Sequence, residues 1–194
     1  KTKINKYSDA VIYEMHLSDF SLDKTPPFVN KGKYLSLCEK DLLTKKNHPV
    51  GLSYLKYLGI THIQLQPILD YKGLDDINPS KSYNWGYDPI SFFALEGSYS
   101  LHPEIAQTRL EEFRELVDTM HKNNIRVNVD VVYNHLFDYI TSSFEKCVPG
   151  YFFRRRNNGL LAMASGCGND FASEKYMARR RSEERRVGKE CRSR

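Results

Sequence analysis

The sequence has no apolar run approaching the ~20 residues that a membrane-crossing helix needs, which argues against an integral membrane protein. No signal peptide is visible; the chain opens on Lys1 rather than Met, which suggests that the natural N-terminus is missing. Cysteine is scarce and scattered. Cys38, Cys147, Cys167 and Cys191 form no C-x-x-C pair and have no His at ligand spacing, so neither a zinc site nor a redox motif is expected. Free thiols lean towards a reducing, cytoplasmic compartment without fixing one. There is no G-x-S-x-G elbow, no phosphate-binding P-loop and no G-x-G-x-x-G fingerprint, so serine-nucleophile, nucleotide and dinucleotide chemistry lack support. Acidic residues look deficient, with a net charge of +5, but the excess is local. Residues 179–194 carry eight of the 29 basic and three of the 24 acidic side chains, leaving the rest balanced at 21 of each sign. The body therefore has no polyanion footprint, and a nucleic-acid partner is not expected.

What is present is an alternation of short strands and helices. Residues 10–17 alternate and read as a first strand. Residues 21–49 form a surface excursion, with a short helix possible within 34–45. Residues 49–59 read as a helix, with Pro49 at its first position, Leu52, Leu55 and Leu58 on one face, and Gly59 as the left-handed cap. A second strand follows at 60–67. Residues 67–107 exceed an ordinary connection, and their aromatics argue against disorder. Thr108 to Glu111 has the capping-box form, after which Leu110, Phe113, Val117 and Met120 stripe a helix that Asn123-Asn124 ends. The third strand opens at Ile125. Strand, helix, strand, helix, strand with long loops after the strands is the pattern of an α/β fold that builds its site at strand C-terminal ends. After His135, Gly, Ser, Asn and Asp at 165–170 signal tight turns, and residues 172–179 look like the opening of a helix.

Two stretches carry the chemistry. In Ile125-Arg126-Val127-Asn128-Val129-Asp130-Val131-Val132-Tyr133-Asn134-His135 a β-branched run turns polar at its end, where Asp130 and His135 can face a ligand or can simply leave the core. In Tyr83-Asn84-Trp85-Gly86-Tyr87-Asp88-Pro89 the aromatic faces suit sugar rings and the Asn and Asp suit hydroxyls. Composition alone favours the plainer account, in which Trp85 and Tyr87 close the core under a long loop. Asp19, Asp70, Asp88 and Asp130 are plausible strand-end carboxylates, but none pairs by local spacing into the dyad that glycoside hydrolysis needs.

The end of the first stretch, Asp130 to His135, resembles the first signature region of the α-amylase superfamily of glycoside hydrolases, and the second stretch resembles the hallmark of the type I pullulanase family. Further matches are Val11-Ile12-Tyr13-Glu14-Met15-His16, residues 51–67, and Pro149-Gly150-Tyr151 with Ser165-Gly166-Cys167-Gly168-Asn169-Asp170. The resemblance spans residues 9–179; Ser18 departs from it, since relatives commonly carry a basic residue there. It implies a partial (β/α)8 TIM barrel, its first three strands with long βα loops, with 1–179 as the N-terminal part of a catalytic barrel. It implies that Tyr87 stacks on the sugar at the cleavage subsite, that His135 hydrogen-bonds that sugar, that Asp130 orients an arginine of a fourth strand, and that Trp85 and Asp88 line the same pocket. The partner implied is an α-glucan: pullulan, glycogen or starch branches cleaved at α-1,6 links. Isoamylase-like or α-amylase-like hydrolysis and a non-catalytic α-glucan-binding module are the alternatives. Asn134 matches a calcium ligand of some amylases, so calcium is possible, though no cofactor is required by the sequence. The nucleophilic Asp, acid Glu and third Asp of the family come from later strands, so no residue here takes a catalytic role. Residues 180–194 depart from the family pattern and read as an artefactual basic tail on a truncated barrel.

Overall fold

The computed structural model describes residues 4–180, so Cys191 and all of the basic tail except Arg180 lie outside the described residues. The described residues form two compact units, residues 4–87 with 93–131, and residues 88–92 with 132–180. The first unit is built on a parallel sheet of β1 (Ile12–Met15), β2 (His62–Leu65) and β3 (Arg126–Val129), in that spatial order. The register runs from Ile12 beside His62 beside Arg126 to Met15 beside Leu65 beside Val129. The strands are shorter than the sequence suggests, but hydrogen bonding continues one residue further, from Gln66 N to Met15 O and from Asp130 N to Leu65 O. One face carries Met15, Ile63 and Leu65, all buried, with Val127 and Val129 half-buried. The opposite face carries Ile12, Glu14, Gln64, Arg126 and Asn128, of which Ile12 is 53% exposed and Glu14 and Asn128 are also exposed. Among the described residues no helix is long and apolar enough to cross a membrane.

A four-residue helix α1 (Asp19–Leu22) follows β1, and residues Tyr34–Cys38 form a 3-10 turn inside the region where a short helix is expected. The next helix, α2 (Leu52–Tyr57), is shorter than predicted. Pro49 is not its first residue: it makes an antiparallel bridge with Leu43. The helix starts after Gly51, whose φ of +60° and 2.9 Å clearance to the Phe28 ring leave no room for a side chain. Leu52 and Leu55 are buried as expected, whereas Leu58 is 40% exposed because the helix has already ended there. Gly59 is left-handed, φ +68°, and turns the chain into β2.

Helix α3 (Ala106–Lys122) begins two residues before Thr108, with Ile105 at its N-cap and no side-chain cap. The capping-box reading is therefore wrong: Glu111 instead accepts a bond from Gln107 one turn back. Its buried line is Glu112, Leu116 and Met120, with Phe113 and Val117 half-buried and Leu110 exposed. Glu112 can sit there because both of its oxygens accept from Leu101 N at 3.1 Å, tying the long loop to the helix. Asn123 and Asn124 end the helix as read. Asn124 is left-handed, and bonds from Asn124 N to His121 O and Ile125 N to Met120 O make the paired C-terminal closure.

In the second unit, Phe92, Leu136, Phe152, Phe153, Phe171 and Ala178 make an aromatic core. Helix α4 (Ser143–Cys147), unforeseen in the sequence, is capped by Ser142 accepting from Glu145 N. The helix expected from 172 starts only at 176, since residues 172–175 turn, with Ala172 N bonded to Phe152 O and Lys175 N to Ala172 O.

Candidate functional site

The long loop between β2 and α3 is ordered by its own strand-like bridge, Leu69 with Leu95, flanked by Asp70 N to Ala94 O and Glu96 N to Ile68 O. Its aromatic tip, residues 83–87, is tied to the C-terminal end of each strand in turn. After β1, Asp19 Oδ2 accepts from the Tyr83 hydroxyl at 2.6 Å. After β2, Gly86 lies against Pro67: a Cβ there would stand 2.9 Å from Pro67 O and 3.1 Å from the Tyr71 ring. After β3, Asp130 Oδ2 accepts from the Tyr87 hydroxyl at 2.9 Å. Gly86 has φ +93°, and its N–H bonds to Asn84 Oδ1 at 2.9 Å, while Asn84 Nδ2 donates to Lys72 O. Asn84 thus shapes the turn that sets the two tyrosines on either side of Trp85.

Burial does not explain the aromatics of this tip. Trp85 is 61% exposed and Tyr87 39% exposed, so neither closes the core. The Tyr87 hydroxyl is pushed up to about 12, first by desolvation and then by its bond to the Asp130 carboxylate, and so remains protonated and donating at neutral pH. Tyr83 is raised for the same two reasons, desolvation and Asp19, with a hydrogen bond from Trp85 working the other way.

The β1 anchor is backed by a buried string that sequence reasoning missed. His16 is 8% exposed, its Nδ1 lies 3.3 Å from Asp19 Oδ1, and its Nε2 lies 3.0 Å from the Tyr99 hydroxyl, which in turn meets the Tyr71 hydroxyl at 2.9 Å. Burial raises Tyr71 and Tyr99, so both stay protonated hydrogen-bonding groups. The signal available was local: a His three residues before an Asp at the end of a strand. Asp70, another candidate carboxylate, is half-buried and raised by desolvation and then by Asp76.

Of the five residues expected to hold a ligand, Tyr87 and Asp130 are joined directly, and Trp85 lies on the same loop as Tyr87. Asp88 and His135 belong to the second unit. Asp88 is exposed there. His135 is buried, 6% exposed, and among the described residues its Nδ1 has no hydrogen-bond partner. Among the described residues no three His, Cys, Asp or Glu side chains converge as a metal ion needs. Asn134, the residue matched to a calcium ligand, is exposed, and its carbonyl accepts from Phe171 N at 2.8 Å.

Comparison with known proteins gives a consistent neighbourhood. Residues 50–159 match the family described as alpha amylase, catalytic domain. The pullulanase of Bacillus subtilis (strain 168) is 49% identical over 172 residues, which is 89% of this chain and 24% of the relative. The solved structure of the type I pullulanase from that organism, complexed with maltose, superposes with a TM-score of 0.87 at 46% identity, over 93% of this chain and 26% of that one. The pullulanase of Anoxybacillus sp. LM18-11 complexed with maltotriose gives a TM-score of 0.89 at 42% identity, over 92% of this chain and 26% of that one. The chain thus spans about a quarter of the length of the relatives it matches.

Proposed function

The chain belongs to the α-amylase catalytic-domain family, and from that premise we propose that it forms the first part of the sugar-cleaving barrel of a debranching enzyme that hydrolyses α-1,6-glucosidic links in pullulan, glycogen or starch branches. The observation that carries the reading is the aromatic tip pinned over the ends of all three strands by Asp19, Pro67 and Asp130. In parallel α/β barrels that end of the strands is where substrates bind. An exposed Trp85 and a partly exposed Tyr87, held by hydrogen bonds rather than by core packing, offer ring faces at fixed positions, which suits glucose.

In this reading Tyr87 stacks on the sugar at the cleavage subsite, Trp85 and Asp88 line the pocket, and His135 hydrogen-bonds a sugar hydroxyl. Asp130 holds the Tyr87 hydroxyl and orients an arginine of a further strand. Hydrolysis is retaining, through a covalent glycosyl-enzyme intermediate, with the reacting carboxyls supplied outside residues 1–194. This chain by itself binds sugar and does not cleave it.

Isothermal titration of the 194-residue chain with maltotriose tests the binding. Trp85→Ala should weaken affinity roughly tenfold, about 1.4 kcal/mol, without moving the melting temperature, because the side chain is mostly exposed. No maltotriose binding by folded wild type, or measurable pullulan hydrolysis by residues 1–194 alone, would overturn the assignment.

A further inference from the structure

The Ser165-Gly166-Cys167-Gly168-Asn169-Asp170 turn has no role in the function proposed above, yet it is built with unusual completeness. Asp170, 4% exposed, accepts from Ala164 N at 2.8 Å, Ser165 N at 2.9 Å and the Ser165 hydroxyl at 2.6 Å, which closes the turn on itself. Gly166 and Gly168 supply the left-handed conformations that closure needs, with φ of +76° and +84°. The product is a fixed position for the next residue back, Asn169, which is 2% exposed.

Asn169 uses its amide as a second peptide group. Its Nδ2 donates to Leu136 O at 2.7 Å, and its Oδ1 accepts from Leu136 N at 3.1 Å. Two residues on, Phe171 N donates to Asn134 O at 2.8 Å. The peptide plane before His135 is therefore held through the Asn134 carbonyl, and the plane after it through the Leu136 N–H. Because peptide groups are planar, fixing both planes fixes φ and ψ of His135. His135 needs such help, since its buried Nδ1 makes no hydrogen bond among the described residues that could orient the ring.

We propose that Asn169 is a positioning residue for His135, acting through the backbone of Leu136; this rests on the reading of His135 as a sugar-contacting group. The clamp sets where the imidazole can meet a sugar hydroxyl, and Asp170 holds the clamp.

The test uses the full 194-residue chain as wild type, Asn169→Ala, Asn169→Asp and His135→Ala, with 15N NMR of the imidazoles, maltotriose titration and thermal melting. Asn169→Ala should shift the His135 ring resonances and weaken maltotriose binding roughly tenfold, while the signals of the Phe92, Phe153 and Phe171 rings stay in place. Asn169→Asp keeps the acceptor facing Leu136 N but sets a second oxygen against Leu136 O, so its effect should be large at neutral pH and smaller in acid, where the protonated carboxyl can donate to Leu136 O; it serves as the probe if the alanine variant does not fold. Unshifted His135 resonances and unchanged affinity in a variant with a lowered melting point would make Asn169 merely structural and end the proposal. If His135→Ala leaves maltotriose affinity untouched, the sugar-contact reading fails, while the ring resonances of the Asn169 variants still decide the positioning.

Discussion

At Asp170 one carboxylate holds two backbone N–H groups and a hydroxyl, with the Arg154 guanidinium 3.9 Å away. The Ser165 hydroxyl first, then the Ser165 and Ala164 N–H groups and Arg154, hold its carboxyl below the usual carboxylate range. A folded-state value below the unfolded one means that the charged form favours folding. That stability is fully present above the unfolded value and is lost as pH falls through the folded one. Urea midpoints of wild type should therefore drop between about pH 5 and pH 2 more steeply than those of Asp170→Asn, which is weaker at neutral pH but has no such proton to take up. Comparing the pair cancels the opposite contribution of Glu96, raised by burial, whose share of stability falls as pH rises through its folded value. Parallel acid profiles for the two proteins would show that Asp170 does not act this way. The sequence marks this turn by composition, but it cannot show that Asn169 faces Leu136, a partner 33 residues away.

The long loop after β2 is held to α3 by one ion pair and the carbonyl bonds beside it, and one glycine decides whether they fit. Arg109 donates to Asp76 Oδ2 at 2.7 Å and to the carbonyls of Leu95 and Pro103. Gly97 lies against this pair: a Cβ there would collide with Asp76 Oδ2 and stand 2.5 Å from Arg109 Cζ. Gly97→Ala should cost about 1–3 kcal/mol of stability by forcing the pair apart. In an Asp76→Ala background the same change should cost less, since the freed guanidinium can move aside; that gives a coupling read directly from a double-mutant cycle. Strict additivity would mean that the loop yields elsewhere. At this scale the sequence was legible where local rules apply and opaque where a distant contact overrides them. The caps at Gly59 and Asn124 follow from residue type and position. The start of α3 does not, because the Thr108 signal is outweighed by a loop already anchored at Leu101 by Glu112. Leu116 was missed and Leu110 misplaced: the buried line runs through Glu112, Leu116 and Met120, while Phe113 of the apolar stripe meets the Tyr34 ring of the 3-10 turn from a half-buried position.

For the molecule as a whole, strands alternating with helices and turning polar at their ends were readable from the residues, while the neighbouring order β1-β2-β3 is what the barrel implied by the resemblance requires. The three-way anchoring of residues 83–87 was not, since it depends on contacts across 64 residues to Asp19 and 43 to Asp130. Parallel sheets are ordinarily covered on both faces. Here the face carrying Ile12, Glu14 and Asn128 is exposed, and among the described residues β1 and β3 each pair on one side only. A strand with one free edge opens more readily than one bonded on both sides, because fewer ladder bonds must break. Amide hydrogen exchange of the 194-residue chain should therefore show β2 protected on the order of a hundredfold more than the outer-facing amides of β1 and β3. Unpaired edges also recruit other strands, so that protection of β1 and β3 should rise with protein concentration. Equal protection of all three strands, independent of concentration, would mean that both edges are already covered within a single chain, and the account of an open sheet would have to be given up.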